Sequence, residues 1–235
     1  MIALVDINNF YVSCERLFNP KLINKPIVVL SNNDGCIISR SEEAKSIGIK
    51  MGVPLFKAQS LINQHKVKVL SSNYPLYADI SSRVMRLVSE FTDHQEVYSI
   101  DECFINLAGH NNHQDIAATI KEKLWMNLRM PVCVGIGPTK VLAKFGNHCA
   151  KKQSDWNGIC LTNLLSDKFI NAVMNEFSVN KVWGVGEKLT QKLNLMNIYS
   201  VLDLKKSNAI HIKSELNINV ARIIYELNGI ICFPL

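Results

Sequence analysis

EVYSIDECFINL, residues 96–107, sets two adjacent acids inside an apolar run. Val97, Ile100, Phe104, Ile105 and Leu107 read as strand residues, with Asp101 and Glu102 standing among them. Acids are depleted in strands, and a buried carboxylate is costly unless something neutralises it. The spacing predicts two strands, EVYSI and CFINL, with the acids at their junction. The same oddity opens the chain. IALVDIN, residues 2–8, is a β-rich run that carries Asp6 at its end.

Outward from these runs, the pattern alternates between strands and helices. FYVSCERLF has helical spacing, with Phe10, Cys14 and Leu17 on one face. PIVVLS (26–31) and CIISR read as strands, separated by the turn signal NNDG. Ser41 is an N-cap candidate with Glu42 and Glu43 in the first turn, and the helix it starts breaks at Gly48. KVKVLSS (66–72) alternates as a strand, and Tyr74–Phe91 turns helical through Leu76, Ile80, Val84, Leu87, Val88 and Phe91. QDIAATIKEKLWMNL is helical, VCVGIG is a strand, and PTKVLAKFGNHCAKK is a helix with Pro138 at its start. KQSDWNG is a loop. After residue 164 the pattern predicts helices only: two short amphipathic ones within KVWGVGEKLTQKLNLMNIYSVLDL and a final one in NINVARIIYELNG. The fold class is α+β: a mixed, mostly antiparallel sheet with helices on one face, then a small all-helical domain.

The 235 residues suffice for a large core. No apolar run reaches the length of a membrane span, and MIALVDINNFY lacks the basic start of a signal peptide, so the cytoplasm is expected. Seven cysteines without a CxxC pair argue against a disulfide framework and a structural zinc site. The HNNH at 110–113 lies in an Asn-rich loop and reads as solvated. A net charge of +6 suits a nucleic-acid partner and equally a solvated surface.

A divalent metal would account for Asp6, Asp101 and Glu102 together, because Mg²⁺ prefers carboxylate and carbonyl oxygens. Two Mg²⁺ roughly 4 Å apart, bridged by shared carboxylates, drive in-line phosphoryl transfer. The plain alternative is three strand-end acids with separate partners, and the pattern alone leaves both open. Lys140, Lys144 and Lys151 fall near one helical stripe, opposite Val141, Leu142 and Phe145. That stripe suits a triphosphate or a DNA backbone, or else it is a solvated face. VWGVGEK (182–188) has the form of a helix-hairpin-helix turn: Gly184 and Gly186 let backbone N–H groups approach a phosphate, and Lys181 and Lys188 flank it.

Together these segments resemble the Y-family translesion DNA polymerases, most closely the UmuC type that forms the catalytic subunit of bacterial DNA polymerase V. DINNFYVSCE is similar to the first acidic motif, and LSNNDGCIISRSEEAKSIGIKMGVPLF to the fingers of the UmuC branch. YSIDECF matches the Ser-x-Asp-Glu motif, and VGIGPTKVLAKFGNHCAKK the strand and helix after it. The resemblance implies a palm from 1–18 and 72–163, fingers from 19–71 and a helical thumb from 164–235. It implies that Asp6, Asp101 and Glu102 hold two Mg²⁺ with the Ile7 carbonyl assisting. Tyr11 would be the steric gate under the sugar with Phe10 beside it, and Lys151 and Lys45 would meet the triphosphate. Glu42 departs from the Tyr found at that position in other branches, which puts that fingers contact in question.

By resemblance, the partners are primer-template DNA, dNTP, UmuD′-type subunits and a RecA filament, in the SOS response to DNA damage. Family members continue into a DNA-gripping little finger and a clamp-binding tail. This sequence stops at ELNGIICFPL, so both are expected to be absent, and sliding-clamp binding with them. That departure keeps a rival in view: a catalytically impaired module that only binds DNA or partners. Another two-metal palm enzyme, such as a nucleotidyl cyclase, is the second rival, and the hairpin argues against it.

Overall fold

A computed structural model describes residues 1–152 and 154–235. In chain order it runs β1 (Ile2–Ile7), α1 (Phe10–Phe18), β2 (Ile27–Leu30), β3 (Ile37–Arg40), α2 (Glu42–Ser46), α3 (Leu55–Gln64), β4 (Lys68–Leu70) and α4 (Tyr74–Ser89). There follow β5 (Gln95–Val97), β6 (Glu102–Asn106), α5 (His113–Leu128), β7 (Val132–Gly137), α6 (Lys140–Lys152) and β8 (Ile159–Leu161). The last five helices are α7 (Asp167–Glu176), α8 (Glu187–Leu195), α9 (Val201–Lys206), α10 (Ala209–Glu215) and α11 (Ile218–Leu227).

Five strands form the main sheet in the order β5-β6-β1-β7-β8. All neighbours are antiparallel except β7 and β8. Side chains alternate across it. Ala3, Val5, Ile7, Cys103, Ile105 and Val134 point to the face covered by α4 and α5, where they meet Ile80, Val84, Ala117 and Ile120. Ile2, Leu4 and Phe104 point the other way and meet Ala143 of α6. The expectation of helices on one face is therefore corrected. β1 and β7 are apolar on both sides, which is the mark of a strand covered twice, and α6 is the second cover.

α6 in turn lies under the helical C-terminal segment. Its Val141, Phe145 and Cys149 share a cluster with Met174, Val220 and Ile224. A second, three-stranded sheet, β3-β2-β4, has its own small core with Ala44, Ala58 and Ile62 from α2 and α3.

Several boundaries differ from the sequence reading. EVYSI is strand only as far as Val97, and residues 98–101 bend away. α6 starts at Lys140, two residues beyond Pro138, with the Thr139 hydroxyl accepting from the Leu142 amide at 3.2 Å. The segment read as a loop at 152–158 contains a single 3₁₀ turn, Ser154–Trp156, and Gln153 lies outside the described residues. All seven cysteines are free thiols. His110 is exposed, and His113 begins α5.

Candidate active site

The acids come together through register. Asp6 pairs with Glu102 across β1 and β6, and the Ile7 amide donates to the Asp101 carbonyl at 2.9 Å. Asp101 itself sits in the bend before β6. The Ser99 hydroxyl donates to its Oδ1 at 2.6 Å. Asp6 and Glu102 stand on the α6 face of the sheet. Like charges directly opposite on a ladder repel, and α6 supplies the counter-charges. Lys151 Nζ lies 2.5 Å from Asp6 Oδ1, and Lys144 Nζ lies 2.7 Å from Glu102 Oε1. Lys140 reaches Glu96 on β5 at 2.6 Å. One helix thus lays three ammoniums across three strands, each on an acid.

Burial is the main cause of an unusual Asp6. It pushes the carboxyl up from 3.8 to about 6, while Lys151 draws it down and the charges of Asp101 and Glu102 raise it further. Between pH 3.8 and 6 the folded carboxyl keeps its proton and the unfolded one loses it, so stability falls as pH rises through that window. The full cost, present above pH 6, is up to about 3 kcal/mol at about 1.4 kcal/mol per unit. Asp6→Asn is therefore expected to melt above the parent at pH 8 and level with it at pH 4. Equal melting temperatures at pH 8 would refute this account of the site's strain.

A cavity of about 330 Å³ opens beside Asp6 and Asp101. Asp6, Ile7, Asp101 and Lys151 line it together with the rings of Phe10 and Tyr11 and the cations Arg40 and Lys45. Tyr11 is half-buried and stacks on Tyr77 at 4.4 Å between ring centroids. Phe10 is only 3% exposed and belongs largely to the core. Lys45 pairs with Glu42 at 2.7 Å, and Glu42 also accepts from Asn9, so the departing acid ties α2 to the loop after β1. Arg40 was not singled out from sequence. It follows the alternation of β3, and its Nη1 donates to the Ile49 carbonyl while its Nε is buried without a partner.

The predicted DNA contacts divide. Lys181 and Lys188 are exposed at the ends of the 182–188 turn, held by buried Val182 and Val185. Gly184 has φ of +85°, which requires glycine, whereas Gly186 is extended at −83° with open space around it. Lys144 is half-buried on Glu102. Lys140 is 4% exposed, between Glu96, the Pro234 carbonyl and the Phe104 ring, and does not face solvent.

Among the described residues, no three His, Cys, Asp or Glu side chains converge as a ready metal cage. Two of the three acids give an oxygen to a lysine instead. In kind, the donors fit a hard divalent cation: they are oxygens only, the charges of Asp101 and Glu102 act on Asp6, and burial makes the charge on Asp6 expensive.

The model of the impB/mucB/samB family matches residues 5–148, which include every one of these acids and both lysines paired with Glu96 and Glu102. The chain belongs to this family. SamB of Salmonella typhimurium is 40% identical over 238 residues, covering 100% of this chain and 56% of that protein. UmuC of Salmonella typhimurium strain LT2 is 42% identical over 240 residues, with the same coverage. The chain thus spans 56% of the length of these curated relatives. The insertion ternary complex of Dbh DNA polymerase superposes with a TM-score of 0.84 at 25% identity, over 100% of this chain and 69% of that one. The fold of this family member is that of the Y-family polymerases.

Proposed function

We propose that the chain carries the nucleotidyl-transfer centre of an error-prone translesion DNA polymerase. The observation behind this reading is the register that sets Asp6 opposite Glu102, with Asp101 at the adjoining bend, and a cavity that Asp6 and Asp101 line together with Tyr11 and cations. In this reading the palm is 1–18 and 72–163, the fingers are 19–71 and the thumb is 164–235. Asp6, Asp101, Glu102 and the Ile7 carbonyl are the donors for two Mg²⁺, which when bound supply activation of the primer 3′-hydroxyl and charge stabilisation of the leaving diphosphate.

The chain's own side chains do the rest by positioning and electrostatics. Lys151 and Lys45 line the cavity where a triphosphate brings negative charge, and each then exchanges its present carboxylate for a phosphate oxygen. Lys181, Lys188 and the Gly184–Gly186 backbone are exposed for DNA phosphates, which need no base contact. Primer-template DNA and dNTP are the substrates. The SOS setting, with UmuD′-type subunits and RecA as partners, rests on likeness to UmuC.

The test is primer extension on a gapped template with Mg²⁺ and single dNTPs. Template-complementary addition is expected. DNA binding with no addition of any dNTP would leave a binding module and overturn the reading. Sugar selection gives a sharper check. Tyr11 covers the cavity wall, so Tyr11→Ala is expected to raise rNTP relative to dNTP use by about 10–100-fold, the scale of one steric contact. Its stability cost is about 1 kcal/mol beyond lost burial, from the Tyr77 stack. An unchanged sugar preference would return Tyr11 to plain packing.

A further inference from the structure

Glu226, in α11, is completely buried, yet none of its hydrogen bonds goes to a side-chain cation. Its Oε2 accepts from the Val141 amide at 3.1 Å, in the first turn of α6. Its Oε1 accepts from the amides of Cys232 and Phe233 at 2.7 and 2.9 Å. Its backbone carbonyl accepts from the Thr139 hydroxyl at 2.9 Å, the same hydroxyl that caps Leu142. The first amides of a helix have no intrahelical partner, and a carboxylate there also meets the positive end of the helix dipole. One carboxylate thus joins three pieces of chain: α11, the start of α6 and residues 232–233. Phe233 then packs on Trp183, whose Nε1 donates to the Tyr98 hydroxyl beside the acid bend.

We propose that Glu226 is a positioning residue: it fixes where α6 sits along the sheet, and so where Lys144 and Lys151 meet Glu102 and Asp6. The proposal rests on the polymerase reading for its kinetic consequence and on geometry alone for its structural one. α6 is one unbroken helix of thirteen residues. A shift at its first turn is therefore carried to Lys144, three residues beyond Val141, and to Lys151, ten beyond. The charge-assisted bond to the Val141 amide adds to the Thr139 cap at that turn, and the bonds to the Cys232 and Phe233 amides anchor the carboxylate from the other side.

The experiment compares the full chain with Glu226→Gln, which keeps the shape but turns an NH₂ toward a backbone N–H. Thr139→Val, which loosens the same joint from the α6 side, serves as the milder variant. Lysine-¹⁵N spectra read the ammonium signals of Lys144 and Lys151, with Lys123, paired with Glu90 elsewhere, as the internal control. Both α6 signals are expected to move while Lys123 stays. Single-nucleotide incorporation is expected to lose about tenfold or more in kcat/KM, since a displacement of about 1 Å can cost about 100-fold, with DNA affinity unchanged. Unmoved Lys144 and Lys151 signals in the folded variants overturn the proposal. So does parent-like incorporation, which would leave Glu226 as a stabilising cap and nothing more. If Glu226→Gln does not fold, Thr139→Val decides by the same readings. If the parent itself adds no nucleotide, the polymerase reading fails, and the lysine signals alone judge the positioning.

Discussion

Asp101→Asn is expected to reduce nucleotide incorporation by about 1,000-fold or more, the scale of removing one group that stabilises developing charge. Its fold should stay intact. Asp101 lies in a bend and is only half-buried. Its side chain accepts from the Ser99 hydroxyl, and an amide oxygen can still accept that bond, though without the charge assistance. The bond that fixes the bend, from the Ile7 amide to the Asp101 carbonyl, is backbone and survives. The change in stability should stay within about 0.5 kcal/mol, as for a surface substitution. A second readout comes from Asp6, whose carboxyl is raised in part by the Asp101 charge. Removing that charge should lower the Asp6 titration without abolishing its burial-driven rise. Purified Asp101→Asn that extends primers like the parent would end the assignment of this residue.

The acids were legible because they violate their surroundings. Asp6, Asp101 and Glu102 interrupt apolar strand runs, and only the register between β1 and β6 was missing to bring two of them face to face. The α6 stripe was legible as a stripe but not as to what it meets. Lys140 looks like its neighbours in sequence, yet it is buried, and Glu96, 44 positions away, closes on it from a partly exposed strand. Glu226 gave no signal at all, since its partners are backbone amides 85 residues upstream and six or seven downstream.

The missed elements have local causes. β8 has three residues, too few to alternate, and pairs parallel to β7 only through tertiary contact. α3 begins at Leu55 after Pro54 with no side-chain cap, so nothing announces its start, and α2 and α3 cover a sheet too small to impose a clear stripe. The single-face expectation failed at β1, where Ile2 and Leu4 are as buried as Ala3 and Val5.

Gly135→Ala is expected to lower stability by about 3 kcal/mol, at the upper end for overpacking, or about 10 °C in melting temperature for a chain of this size. Gly135, the first of the two glycines in VCVGIG, is not there for its backbone freedom. A Cβ at this position would lie 2.1 Å from both the Ala143 carbonyl oxygen and the Asn147 amide nitrogen. Both are backbone atoms of α6, so no side chain can turn aside. The helix has to lift from the sheet. Asn147, which donates to the Cys133 carbonyl at 2.8 Å, would be drawn off with it. Lys144 and Lys151 ride on the same helix, so the lift also separates them from Glu102 and Asp6.

The expected result is therefore a double loss, in melting temperature and in incorporation measured well below it. Gly186→Ala is the control: that glycine is extended, with nothing within 4 Å of an added Cβ, and should melt like the parent. A Gly135→Ala protein with parent-like melting would show that α6 can yield without cost. The close approach of helix to strand would then not be what holds the lysines over the acids.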